Sequence, residues 1–151
     1  EIFPKIGFQL LLNENRIIEI NGEKLALVGV ENWGARFKKA GDLAKASEGL
    51  NQDIFKILLS HDPSHWDLEV KNHPNNYDLT LSGHTHGMQL GIEVPSIGLH
   101  WSPSQYIYPQ WAGFYWNDDK VINVNRGFGF HFYPGRVGVW PEITVIELQN
   151  K

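Results

Sequence analysis

Apolar residues in this chain fall into short runs bounded by turn residues, and no stretch sustains a long helical stripe. Residues 7–14 and 16–20 read as two strands, with Asn13-Glu14-Asn15 as turn chemistry between them. Asn21-Gly22, two residues that tolerate positive φ, is a hairpin signal leading into a third strand over 24–30. Three successive strands joined by tight turns predict an antiparallel meander, ended by Asn32-Trp33-Gly34.

The pattern then changes. Residues 40–50 carry Asp42 as an N-cap and Gly49 near a C-terminus, which predicts a short helix. The apolar run 55–59 predicts a buried strand ending at Ser60-His61-Asp62-Pro63, and Pro63 suits the first turn of a helix over 64–71. A loop around Pro74 leads to a strand over 77–82, giving a βαβ unit whose carboxyl edge is the usual place for a site. A strand over 90–94 and a proline-marked loop follow. A hairpin then joins 114–116 to 121–124 across Asn117-Asp118-Asp119-Lys120. Gly127, Gly129, Gly135 and Gly138 punctuate a loop before a last strand over 142–148. Many short strands with few helices make a strand-rich α+β fold.

Composition narrows the function classes. At 151 residues, with 42% hydrophobic and 20% charged, the chain is one globular domain or part of one. A net charge of -4 gives no bulk attraction for nucleic acid, and Lys38-Lys39 reads as a solvated loop. The absence of cysteine excludes disulfides, thiolate metal sites and cysteine nucleophiles. No apolar run approaches a membrane span and no signal-peptide pattern opens the chain, which starts Glu1-Ile2-Phe3-Pro4 without methionine, as a fragment of a longer protein would.

The chemistry sits in the histidines. The strand over 77–82 ends in Ser82-Gly83 and delivers His84-Thr85-His86-Gly87, two imidazoles on a glycine-flanked turn. Neutral imidazole suits borderline transition metals, and ligands two residues apart on a turn can serve two adjacent ions. His61 lies at the end of the preceding buried strand. Parallel neighbours would bring His61, His84 and His86 to one sheet edge, which makes them the candidate metal ligands. His61 and His65 are also spaced i, i+4, but Pro63 interrupts that helix and Asp62 replaces the glutamate of helical zinc peptidases, so His65 reads as a packing residue.

Ser60-His61-Asp62-Pro63 followed by Ser82-Gly83-His84-Thr85-His86-Gly87-Met88-Gln89 resembles the C-terminal half of calcineurin-like metallophosphoesterases. Within that superfamily it looks like the bacterial branch that includes membrane-associated phosphohydrolases and UDP-diacylglucosamine hydrolases. The tail agrees: Asn125-Arg126-Gly127-Phe128-Gly129, Pro134-Gly135-Arg136, and Pro141-Glu142-Ile143 before the last strand. The resemblance implies that residues 1–151 are the C-terminal half of a four-layer αββα sandwich. It also implies a binuclear centre of manganese, iron or zinc that hydrolyses a phosphate monoester, diester or pyrophosphate. His61 and His84 would bind one metal and His86 the other. The substrate would be a phosphorylated small molecule or a lipid-linked one, with possible membrane association of the parent. Arg126, His131 and Arg136 are candidate phosphate contacts.

Three further family motifs, Asp-x-His, Gly-Asp and Gly-Asn-His, have no usable counterpart here, since Gly41-Asp42 falls in the wrong order. The bridging carboxylate and the general acid would thus lie outside this chain, leaving it inactive alone. Met88 stands where relatives often have glycine. Two other readings remain: a module with one structural zinc on His61, His84 and His86, and a carbohydrate-binding β-domain using Trp101, Trp111 and Trp116. The aromatic density over 101–116 reads chiefly as core and sheet cover.

Overall fold

Asn21 and Gly22 both adopt positive φ (53° and 85°) and turn β1 (Glu14–Ile20) back onto β2 (Glu23–Gly29). This is a computed structural model, and it describes residues 2–36, 38–131 and 133–149; Glu1, the opening residue, lies outside them. From β2 the chain passes through α1 (Leu43–Ala46), which Asp42 caps by accepting the Lys45 backbone N–H at 2.9 Å. It then enters β3 (Phe55–Leu59), α2 (Ser64–Leu68) and β4 (Leu79–Ser82). A small antiparallel pair, β5 (Ile92–Val94) and β6 (Leu99–Trp101), precedes the hairpin of β7 (Gly113–Asn117) and β8 (Lys120–Val124).

Six strands form one mixed sheet in the order β1-β2-β3-β4-β8-β7. The four central strands are parallel, and the two outer hairpin strands run against them. Alternation along the strands decides which face is buried. Ala26, Val28, Leu58, Ile122 and Val124 point toward α1, α2 and the following turn, where they pack with Leu43, Ala46, Trp66, Val70 and Tyr77. Leu25, Leu27, Ile57, Leu59, Leu81 and Val121 point to the other face and are only half-buried. On that face Phe114 and Trp116 are exposed, Trp116 to 71%. The sheet is thus covered by helices on one side and largely open on the other, where only Leu11 and its neighbours lie against it at Gly29.

Two expected strands do not form. Residues 7–14 do not add a third strand to the meander: Phe3–Ile6 is a single 3-10 turn, and the segment after it has no ladder partner among the described residues. It lies instead against β2, so close that a Cβ on Gly29 would meet the Leu11 Cβ. Residues 142–148 keep a strand-like alternation, with Ile143 and Val145 exposed by 82% and 90%, yet form no strand ladder among the described residues, although Glu142 N–H donates to Gly127 O at 3.0 Å. An apolar alternation shows which side a segment would bury; it does not supply the neighbouring strand whose N–H and C=O groups make a ladder. The other elements match the pattern to within a few residues, and the βαβ unit of β3, α2 and β4 is parallel as expected.

Candidate metal centre

The register Leu59↔Leu81 carries β3 and β4 side by side to their carboxyl ends. Pairing continues beyond the strands, with Ser60 N–H donating to Leu81 O (3.1 Å) and Gly83 N–H to His61 O (3.0 Å). The Ser82 hydroxyl donates to Ser60 O at 2.6 Å and fastens the two ends together. His61 therefore leaves one strand level with the turn that carries His84. His61 Nε2 and His84 Nδ1 stand 3.2 Å apart, with the rings nearly perpendicular at 81°. Two nitrogens bound to one ion at about 2.0–2.1 Å, with an angle between tetrahedral and right, lie roughly 2.9–3.4 Å apart. The pair has the bite of two ligands on one cation; in its absence the same spacing suits an N–H···N hydrogen bond.

The turn that follows is strained. His84, His86, Met88 and Gln89 all have positive φ, at 68°, 50°, 49° and 56°, as does Gly87. Left-handed backbone at side-chain-bearing residues costs of order 1–3 kcal/mol each and persists only where the surroundings over-determine it. Those surroundings are visible. Thr85 Oγ1 donates to Trp111 O at 2.7 Å, Ser102 Oγ donates to Gly87 O at 2.7 Å, and Gln89, 1% exposed, donates through Nε2 to Tyr133 O at 2.8 Å. Gly87 is also needed for space, because a Cβ there would press on Trp111 and Arg126 at 3.2 and 3.3 Å. Gln89 Oε1 in addition accepts the His131 N–H, which brings His131 to 5.8 Å from His86, centroid to centroid.

His86 is set apart from the other two. Its Nδ1 is buried without a hydrogen-bond partner among the described residues. Among those residues no three His, Cys, Asp or Glu side chains are close enough to hold one ion. His61 and His84 have the spacing of a two-nitrogen ligand pair, and His86 is not grouped with them among the described residues. Burial pushes all three imidazoles below the ordinary histidine value, and the neighbouring histidines lower them further; at His86, Arg136 adds to this. The lowered values favour the neutral imidazole form at pH 7.

Beside His84 and His86 lies a cleft of about 310 Å³ lined also by Arg36, Met88, Tyr108 and His131, among others, while His61 borders a separate one with Leu11, Leu59 and Leu81. No family model, no curated protein and no solved structure matches this chain. The family resemblance therefore rests on the motifs themselves.

The candidate phosphate contacts divide. His131 is exposed and lines the cleft. Arg126 is held by carboxylates instead: its Nε donates to Glu142 at 2.8 Å and its Nη1 to Glu93, all three side chains being 80% or more buried. Arg136 serves the backbone, donating to the carbonyls of His86, Arg126 and Gly129 at 3.4, 2.9 and 2.8 Å. His65 is a packing residue, fully buried, stacked on Trp33 and bonded to Ser60 Oγ (2.8 Å) and Glu69 (2.9 Å). Trp111 is 3% exposed and stacked on His100, so it offers no face to a sugar.

Sequence reasoning missed Arg36, Asp62 and Tyr108. Arg36 comes from a loop remote in sequence, and Tyr108 is one of many aromatics in its stretch. Only Asp62, beside His61, carried a local signal. No helix among the described residues is long and apolar enough to cross a membrane.

Proposed function

We propose that this chain supplies the histidine side of the metal centre of a phosphoester hydrolase. The observation that carries the reading is the 3.2 Å approach of His61 Nε2 to His84 Nδ1 at the ends of adjacent parallel strands. His61 and His84 hold one divalent ion, and the buried, unpaired Nδ1 of His86 addresses a second. Manganese, iron and zinc all suit neutral imidazole. Such ions supply Lewis acidity and a bound water of lowered pKa. The protein's own residues bind and orient. The over-determined turn holds the imidazoles without reorganisation, while His131 and Arg36 line the cleft where an anionic phosphate monoester, diester or pyrophosphate would be received. Arg126, occupied by two carboxylates, has a structural part in this reading.

In this reading the centre is incomplete, because no carboxylate among the described residues joins the histidines in one metal-holding group. The half-buried apolar face of the sheet supports the view that a further layer, from sequence outside this chain, covers Leu27, Ile57 and Leu81 and brings the missing ligands. A titration of the chain with Mn²⁺ or Zn²⁺, with hydrolysis of bis(p-nitrophenyl) phosphate as a second readout, tests both points. We expect weak uptake that His61→Ala and His84→Ala each reduce at least tenfold, without turnover. Uptake indifferent to both substitutions would refute the site, and brisk turnover by the 151-residue chain would refute its incompleteness.

A further inference from the structure

Asp62 has one carboxylate oxygen explained and one not. Oδ1 accepts the Ser64 N–H at 2.8 Å, which starts α2. Oδ2 is buried, with no hydrogen-bond partner among the described residues, in a side chain 1% exposed. Gly34 is packed directly against it: a Cβ added there would collide with Oδ2. A buried carboxylate oxygen without a partner is costly, and its presence calls for a charge or donor it serves. His84 Nε2 stands 3.9 Å from it, too long for a hydrogen bond and close enough for an N–H there to be drawn toward the carboxylate.

The same nitrogen has a second neighbour. Tyr108 Oη stands 2.9 Å from His84 Nε2, edge-on to the ring. For His84 to present the lone pair of Nδ1 toward His61, its single imidazole proton must sit on Nε2. That proton then points at the Tyr108 oxygen, with the Asp62 carboxylate nearby. A cation on Nδ1 draws electron density from the ring, makes Nε2–H a better donor and strengthens both interactions.

We propose that Tyr108 and Asp62 are positioning residues that fix the tautomer and tilt of His84 for metal binding. The inference rests on the metal reading of the preceding subsection. Outer partners of this kind typically contribute 10–100-fold in metal affinity.

The test uses Co²⁺, whose visible d–d bands report ligand geometry, with the 151-residue chain, Tyr108→Phe and Asp62→Asn. Tyr108→Phe deletes only the hydroxyl. Asp62→Asn keeps the shape and can keep the Ser64 cap through its carbonyl oxygen. We expect the Co²⁺ dissociation constant to rise about 10- to 100-fold in each variant and the d–d bands to shift. The thermal melt of metal-free Tyr108→Phe should stay near that of the parent, separating orientation from folding. Should Asp62→Asn fail to fold, Tyr108→Phe alone decides. Unchanged affinity and spectrum in the folded variants would overturn this inference while leaving the metal site standing. Absence of any Co²⁺ uptake by the parent would overturn both.

Discussion

Replacing Arg126 with methionine probes how the glycine-rich loop is held against the histidine turn. The guanidinium donates to Glu142 at 2.8 Å and to Glu93, and the side chains are 13%, 20% and 14% exposed. Methionine retains much of the apolar stem that packs by Trp111 and Gly87 but takes the guanidinium from both carboxylates, leaving Glu93 with His100 Nε2 at 2.9 Å. Removing one partner of a buried ion pair costs about 3–5 kcal/mol. Because each group keeps some contact with water, the lower end applies, about 3 kcal/mol. For a chain of this size that corresponds to a melting temperature lower by roughly 6–12 °C. The pH dependence gives an independent check. Burial pushes the Glu142 carboxyl up, but its hydrogen bonds from Arg126 outweigh burial and hold it below the usual carboxylate range. A folded value below the unfolded one means the stabilisation is present at pH above the unfolded value. It is lost as pH falls through the folded one. Urea unfolding of the parent and Arg126→Met at pH 7 and pH 4, with Glu142→Gln and the double variant completing a cycle, measures both effects. We expect the gap between parent and variant to narrow on acidification and the cycle to show coupling above about 1 kcal/mol. A loss below 1 kcal/mol at pH 7, or additive substitutions, would refute the reasoning.

Three other outcomes follow from the same geometry. Burial lowers His61, His65, His73, His84 and His86, so the unfolded chain takes up protons that the folded one refuses. Stability should fall as pH drops below about 6.5, and an unfolding midpoint unchanged between pH 7.5 and 5.5 would contradict this. Gly34→Ala drives a methyl into Asp62 and should cost about 1–3 kcal/mol by denaturant titration; a neutral result would mean the loop yields. Trp116→Ser, on the open face, should change the stability of this chain by no more than about 0.5 kcal/mol while reducing self-association in sedimentation. A loss above 2 kcal/mol would show that something in the chain already covers that face.

Much of the architecture is local chemistry and was readable as such. Asn21-Gly22 turns because both residues accept positive φ, and Asp42 caps because its short carboxylate reaches a backbone N–H. The runs at Phe55–Leu59 and Leu79–Ser82 are strands because two consecutive apolar stretches joined by a short helix bury well only as parallel neighbours. Residues 7–14 and 142–148 carry equally good strand patterns and still fail, since a ladder needs a second chain segment in register. Arg126 invites a phosphate on paper, yet the fold gives it Glu93 and Glu142, residues 33 and 16 positions away.

By itself the sequence determined which imidazoles the candidate site offers and the strands that end there: His61 after one apolar run, His84 and His86 after the next. Only the tertiary structure decided that His61 and His84 meet at 3.2 Å while His86 stands aside, and that Tyr108 and Asp62 face His84 from behind. The physical reason is range. Turn chemistry and alternation are set by residues a few positions apart, whereas ligand bite and outer partners depend on where separate strands and loops come to rest against one core.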